Sequence, residues 1–370
     1  MRLTIVLLAV LGVGVAGERA EAYPEFQFST GTARCSACHF APVGGGLIND
    51  YGRDEAATTI SDAGDGRFAH GLVELPAWLA LGADVRVAGF AKRVRGGSEA
   101  TVFPMQADVY ARLAWGGLTI NATGGVLGAI REPAPIAERL GSREHYVMYQ
   151  PAARAWYVRA GRFFPTLGLR LPDHTAYVRR YTGLHSLEES YGVSAGRTTG
   201  SWELHATVLT PLELHPVAGH HDWGGALHAE HINEAETQLL AVHGKAVRTS
   251  HGVDTWVGGS WKRWHEGTDL LFAAELHAGT TSLAPAPVAR LAGYAALHYR
   301  PGKVWGLAGA AHYFDADLRL IGHGRSALEA RGSWFPRAHL EAALLIRGES
   351  VGAEVGRGNV LGFLQLHYYL

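Results

Sequence analysis

Cysteine is nearly absent: the 370 residues hold two, Cys35 and Cys38. One pair three positions apart builds no disulfide framework, and no second pair exists to complete a thiolate zinc site. An excess of either charge is also missing. Lys and Arg number 33, Asp and Glu 34, for a formal net charge of −1. Without a basic surplus, nucleic acid is not an expected partner. After Tyr23 no apolar run reaches the roughly 20 residues of a spanning helix, which excludes a helical inner-membrane protein. Repeats of the propeller kind are absent too. Mean hydropathy is +0.00, so apolar residues are spread evenly and not in blocks.

What is present begins with an export leader. Met1-Arg2 is a short positive start, Leu3 to Gly17 carries no charge, and Ala20-Glu21-Ala22 fits a small-x-small cleavage site. Residues 1–22 are therefore expected to be a signal peptide, cut before Tyr23.

Both cysteines fall in Cys35-Ser36-Ala37-Cys38-His39. C-x-x-C followed by His is the attachment signature of c-type haem: two thiols join the vinyl groups and the histidine ligates iron. A thioredoxin-like pair would need a βαβ context, which is missing here. We expect one covalent haem c held by Cys35, Cys38 and His39. Gly44-Gly45-Gly46 follows, where the backbone could approach a flat group closely. The haem-binding segment, 23–75, has only about fifty residues, too few for a core of its own. It is expected to act as a plug, covered by something else.

From residue 76 onward the pattern has period two. In Gln106 to Trp115, Ala107, Val109, Ala111, Leu113 and Trp115 share one face, and Gln106, Asp108, Tyr110 and Arg112 the other. Phe272 to His277, Tyr294 to Tyr299 and Leu328 to Trp334 read the same way. Forty-eight glycines, ten tryptophans and 14 tyrosines suit a membrane barrel better than a soluble enzyme. The expected strands lie near 77–94, 104–114, 117–130, 143–150, 154–162, 188–197, 201–210 and 224–231. The second half gives 236–247, 252–263, 268–279, 290–299, 304–315, 324–334, 338–348 and 359–370. About sixteen strands result, an even number. Connections alternate between short, such as Gly116 and 335–337, and long, such as 131–142, 163–187, 211–223, 280–289 and 349–358. The fold class is thus all-β, a transmembrane outer-membrane barrel over 76–370. Both termini would then face the periplasm. Arg86, Asp108, Arg112 and Arg159 are expected to point inward, along the path of the plug.

The order of leader, single C-x-x-C-H, glycine-rich exit and porin-like barrel resembles the monohaem fused cytochrome c–porin family of Gram-negative bacteria. It is similar to the outer-membrane cytochrome–porins of iron oxidisers. The resemblance is specific over Tyr23 to Arg53 and suggestive over Arg159 to Thr175; elsewhere it is architectural. It implies that Cys35 and Cys38 anchor the haem and His39 ligates it. It also implies a role in moving electrons between an extracellular donor or acceptor and periplasmic carriers. Gly44-Gly45-Gly46 and Asn49-Asp50-Tyr51-Gly52 depart from the iron-oxidiser pattern.

Several residues carry open alternatives. The stretch Arg159 to Arg180 holds five arginines and His174. It either folds inward, offering arginines to haem propionates, or lies outside as a solvated loop. His70 and His174 are the candidate distal ligands, with Met105 and Met148 behind them. An unfilled distal position would favour peroxidase-like chemistry, and a structural haem a passive porin. His215, His220, His221, His228 and His231, with Asp222, form a candidate external metal contact. Outer-membrane lipid is the remaining expected partner.

Overall fold

A computed structural model describes residues 24–370, apart from 95, 127–139, 152–154, 172, 185–188, 212–221, 251, 284–285 and 353–357. The expected leader, 1–22, therefore lies outside the described residues, as do His215, His220 and His221.

Sixteen antiparallel strands close into one barrel. They are β1 (Leu79–Val94), β2 (Gly97–Trp115), β3 (Leu118–Val126), β4 (Leu140–Tyr149), β5 (Trp156–Phe163), β6 (Ser190–Thr199), β7 (Trp202–Leu209) and β8 (Gly224–Ile232). They continue as β9 (Gln238–Thr249), β10 (Gly252–His265), β11 (Leu270–Leu283), β12 (Ala286–Tyr299), β13 (Trp305–Asp315), β14 (Arg325–Arg337), β15 (Leu340–Val351) and β16 (Asn359–Tyr369). The first and last strands pair from Asp84 with Tyr369 to Arg93 with Val360, so no sheet edge is left open.

The alternation read from the sequence sets the two faces. On β7, Glu203, His205, Thr207 and Leu209 are buried while Trp202, Leu204 and Val208 are exposed. Asp108 and Tyr110 point inward and Val109 outward; Glu275 and His277 point inward and Leu276 outward. The outward face is Val- and Leu-rich, as contact with lipid requires. Arg86, Asp108 and Arg159 are buried inside, as expected.

The larger differences from the sequence reading fall in three places, each for a local reason. β2 starts at Gly97, not near 104. Pro104 looked like a strand start, but it sits at a bulge: Arg86 pairs with Gln106 and Val87 with Pro104, leaving Met105 as the extra residue. The long loop expected at 280–289 shrinks because β11 runs on to Leu283 and β12 begins at Ala286, through Pro287. The turn expected at 335–337 is strand. β14 continues to Arg337 with a register shift after Trp334, and the chain reverses at Ala338-His339, where His339 has φ 70°.

Six tryptophans gather at the end with the short turns: Trp78, Trp115, Trp156, Trp202, Trp305 and Trp334 lie at or near strand ends there, whereas Trp264 at the same level turns inward onto Leu239 and Leu271. Trp305 stacks on Trp334 at 6.0 Å. Such a belt suits a membrane interface.

Inside the barrel lies the loop between β5 and β6. Leu169, Leu171, Ala176, Tyr177 and Val178 pack on Trp256, Ala273, Ala292, Phe314 and Ala327 of the wall. A short helix, Tyr177–Arg180, sits within it. The loop folds inward and is not the solvated external loop of the second reading of Arg159 to Arg180. Two of its five arginines hold the loop itself: Arg159 donates to the Phe164 carbonyl at 2.9 Å, and Arg179 to the carbonyls of Leu171 (2.6 Å) and Leu184.

Candidate functional site

The two cysteines form one helical turn, α1 (Cys35–Cys38). Three positions on a helix share a side, so the spacing brings both thiols to one surface. His39 ends the turn: its N–H donates to the Cys35 carbonyl at 3.1 Å and its backbone becomes extended. His39 then bridges Ile48, and the Phe40 N–H donates to the Leu47 carbonyl. Between them the chain turns on Gly44, Gly45 and Gly46, all at positive φ, where other residues are strained.

Asn49 ties this hairpin to the next helix, α2 (Asp50–Thr58). Its side chain accepts from the Gly52 N–H at 3.0 Å and donates to the Ala37 carbonyl at 2.7 Å. Its backbone N–H reaches the Cys38 carbonyl at 2.9 Å. A Cβ at Gly52 would lie 2.4 Å from that same carbonyl oxygen. Asn49 and Gly52 thus position the cysteine turn. Asn49 went unread as an N-cap in the sequence; an Asn ahead of an acidic residue could have marked the helix start, but its link back to α1 is tertiary.

The segment is fastened to the wall by polar contacts. Arg34 pairs with Glu203 of β7, Lys262 of β10 donates to Gln27, and Arg53 donates to the Leu81 carbonyl. Arg300 donates to Ser29 (2.9 Å) and to the Thr59 carbonyl (3.1 Å). Arg112, an expected inward residue, lies over the Phe40 ring at 4.3 Å.

Cys35, Cys38 and His39 line one cavity between this segment, the inward loop and the wall. The loop contributes Phe164, Leu167 and Leu184, an apolar side; Arg86 and Arg170 supply positive charge. Burial pushes the Cys35 thiol up to about 12, against the pull of Lys262. Burial raises Cys38 as well, with Thr30 opposing. Burial and then the Arg170 guanidinium lower His39 to about 4. At neutral pH all three groups are uncharged. The His39 Nδ1 is buried and has no hydrogen-bond partner among the described residues. Two neutral thiols, an available imidazole, an apolar side and two guanidinium groups fit the donor set that haem c requires.

The two histidine candidates for the distal position are placed elsewhere. His70 donates to or accepts from the Tyr368 hydroxyl at 2.9 Å and packs on His339, outside this cavity. His174 lines a second cavity with Arg180, Arg347 and Gln365, and Met105 lies there too. Met148 lines a third cavity that His39 and His205 also line. The histidines that do share the main cavity with His39 are His205, His228 and His367, all from strands. Their inward phase was readable from alternation with Glu203, Glu230 and Gln365, but sequence distance favoured His70. The external metal cluster is not assembled by its described members. His228 is buried inside, whereas His231, three positions on, packs at 4.8 Å on Trp202 of the outer face, because side chains on a strand alternate.

No protein-family model and no curated protein matches the chain. Solved structures do. The chain is similar to OmpT of Vibrio cholerae, an outer membrane protein, in a form lacking loop L8: TM-score 0.63, 9% identity, 79% of this chain and 99% of that one. It is also similar to the outer membrane channel DcaP of Acinetobacter baumannii, with TM-score 0.59, 9% identity and coverage of 79% and 97%. An anion-selective porin from Comamonas acidovorans gives 0.60, 8%, 79% and 99%. The fold is that of outer-membrane porins. Sixteen strands, an inward loop and an apolar outer face make the chain a porin-like barrel.

Proposed function

We propose that this chain is an outer-membrane monohaem cytochrome–porin, exchanging electrons between periplasmic carriers and a donor or acceptor outside the cell. One observation carries the reading: Cys35, Cys38 and His39, all half-buried, converge on one cavity that the inward loop also lines. Cys35 and Cys38 would hold haem c through thioether bonds, and His39 would ligate its iron. Arg86 and Arg170 would neutralise its propionates. When bound, the group supplies one-electron exchange. The chain's own contribution is to exclude water with Phe164, Leu167 and Leu184, and to keep His39 neutral through burial and Arg170. The short turns, the start of β1 and end of β16, and the tryptophan belt support a periplasmic placement of that rim. Haem attachment takes place on that side of the membrane.

The test is haem staining after denaturation, on wild type and on the Cys35→Ala, Cys38→Ala double variant. Staining should disappear in the variant. Proteoliposomes with a reductant outside and an acceptor dye inside should then show electron transfer only with wild type. Undiminished staining of the variant would falsify the attachment. Staining without electron transfer would leave a structural haem. A second activity has its own observation: a cavity lined by Lys92, Arg180 and Arg347 together with Glu99, Asp173 and Glu349 lies beside the inward loop. It favours passage of small polar solutes, which liposome swelling measures separately.

A further inference from the structure

One row of residues crosses the inner wall sideways. His205, His228 and His243 are successive Cα partners on β7, β8 and β9. Gly258 on β10 pairs with both His243 and His277 of β11. The rings of His205, His228, His243 and His277 follow one another at 6.0, 5.8 and 4.7 Å. The closest approach occurs across Gly258. A Cβ there would lie 2.7 Å from His243 Nε2 and 2.9 Å from His277 Nδ1, so only glycine lets the two imidazoles lean together.

A carboxylate completes the group. Glu275 precedes His277 by two positions and shares its face. Its Oε1 is 3.7 Å from His243 Nε2 and is hydrogen-bonded to His277 Nε2. One donor atom from each of the three residues lies within 4.8 Å of the others. All three are buried, at 5%, 4% and 0% exposure for His243, Glu275 and His277. Neither ring nitrogen of His243 has a hydrogen-bond partner among the described residues, nor does His277 Nδ1. Buried polar atoms of this kind ordinarily have a partner. Here three donor atoms face one another without one that satisfies them all.

The carboxylate is also held from behind. Its Oε2 accepts the Leu169 N–H at 2.7 Å. Gly168 passes so close, at φ +60°, that a Cβ would collide with Glu275. A backbone amide that orients a ligand oxygen is the outer support found around metal sites.

We propose that His243, Glu275 and His277 bind a divalent zinc-type ion. Two imidazoles and one carboxylate are a donor set for zinc, with a fourth position left for water. An ion between them satisfies both His243 Nε2 and the carboxylate, which now meet without a hydrogen bond. It also joins β9, β11 and the inward loop, so the ion fixes the loop that closes the cysteine cavity. The site does not depend on haem.

The experiment uses the full-length, detergent-folded protein, stripped with chelator, in a background carrying His215→Ala, His220→Ala and His221→Ala to remove other histidine donors. Zinc is titrated against a chromophoric chelator. One equivalent should bind, and His243→Gln and His277→Gln should each weaken it at least tenfold, with heat-modifiable migration unchanged. His312→Gln, a lumenal histidine elsewhere, should bind as the background does. Cobalt(II) added to the background protein gives a readout that needs no variant: an intense visible absorption marks a tetrahedral nitrogen–oxygen site. Failure to bind micromolar zinc, a weak octahedral cobalt spectrum, or undiminished binding in both folded variants overturns the proposal.

Discussion

Arg34, the residue before the first cysteine, donates its Nη1 to Glu203 of β7 at 2.5 Å and its Nη2 to the Gly200 carbonyl at 2.8 Å. A segment with little core of its own is thus held by charge-assisted bonds to the wall. Glu203 is nearly buried and Arg34 mostly so. Arg34→Ala should cost the docked segment about 1.5–3 kcal/mol, as for bonds to charged groups. Limited proteolysis of the folded barrel should then cut within 24–75 faster, while the barrel's heat-modifiable migration stays as it was. Equal cleavage rates would show that the bond does not hold the segment.

Gly52 is fixed by contact, not by its own φ. A Cβ would meet the Cys38 carbonyl oxygen at 2.4 Å, and backbone cannot swing aside. Gly52→Ala should force α1 and α2 apart and reduce covalent haem staining several-fold. Gly362→Ala, where a Cβ meets nothing within 4 Å, is the matched control and should stain as wild type. Equal staining of the two variants would mean the cysteine turn tolerates the shift.

The barrel was legible in the sequence because one rule, alternation, repeats in every strand. Asp108 and Val109, or Glu275 and Leu276, announce their faces two residues at a time. The errors came where local chemistry hid the continuation: Pro104 sits on a bulge, Pro287 inside β12, and Pro336 inside β14. The cavity was less legible. Cys35, Cys38 and His39 are adjacent in sequence, but their companions His205, His228, Arg86 and Phe164 come from strands and a loop whose inward direction alone brings them together. The loop's burial could not be read from its arginines, since Arg159 and Arg179 turn to backbone carbonyls.

The turn between β14 and β15 should report pH. Burial, with His70 beside it, lowers the His339 imidazole to about 4. Unfolded, the ring titrates near its ordinary 6.5. Between these values the unfolded chain binds a proton that the folded chain does not. Stability from this group is therefore complete above about 6.5 and falls as pH drops towards 4. Thermal unfolding of the folded barrel should come at lower temperature at pH 4.5 than at pH 7. His339→Gln should narrow that difference. An unchanged difference would place the acid sensitivity elsewhere.

The inward loop hangs on Arg347 of β15. Its guanidinium meets Asp173 and Glu329, and its Nη1 donates to the Thr175 hydroxyl at 2.6 Å. Burial alone would raise the Asp173 carboxyl, but Arg347, His174 and the Thr175 hydroxyl hold it well below the usual range. Arg347→Ala leaves the half-buried Asp173 and Glu329 carboxylates without their guanidinium, at about 1.5–3 kcal/mol, as for bonds to charged groups. The loop should detach from that wall, and single-channel conductance in planar bilayers should rise. Conductance equal to wild type would show that other contacts, such as Leu169 to Glu275, hold the loop alone.

The last prediction separates the histidines. His70 is engaged by Tyr368 and His339 at the short-turn rim, and His174 faces another cavity. Among the three that share the cavity with His39, His367 is held by Asp84 at 2.8 Å and by Glu341 at 3.4 Å. His205 is bonded through Nδ1 to the Tyr157 hydroxyl at 2.9 Å. His228 alone of these has a buried nitrogen, Nδ1, without a hydrogen-bond partner among the described residues, and its Nε2 lies 3.7 Å from Glu230. A ring with a spare nitrogen can ligate at no cost in existing bonds. If Cys35, Cys38 and His39 hold haem c, His228 is the side chain of this cavity that would best offer its iron a second nitrogen. The reduced spectrum of wild type should be low-spin and indifferent to carbon monoxide. His228→Ala should bind carbon monoxide, whereas His70→Ala and His174→Ala should match wild type. A wild-type spectrum that already responds to carbon monoxide, or a response gained by His70→Ala instead, would defeat the assignment.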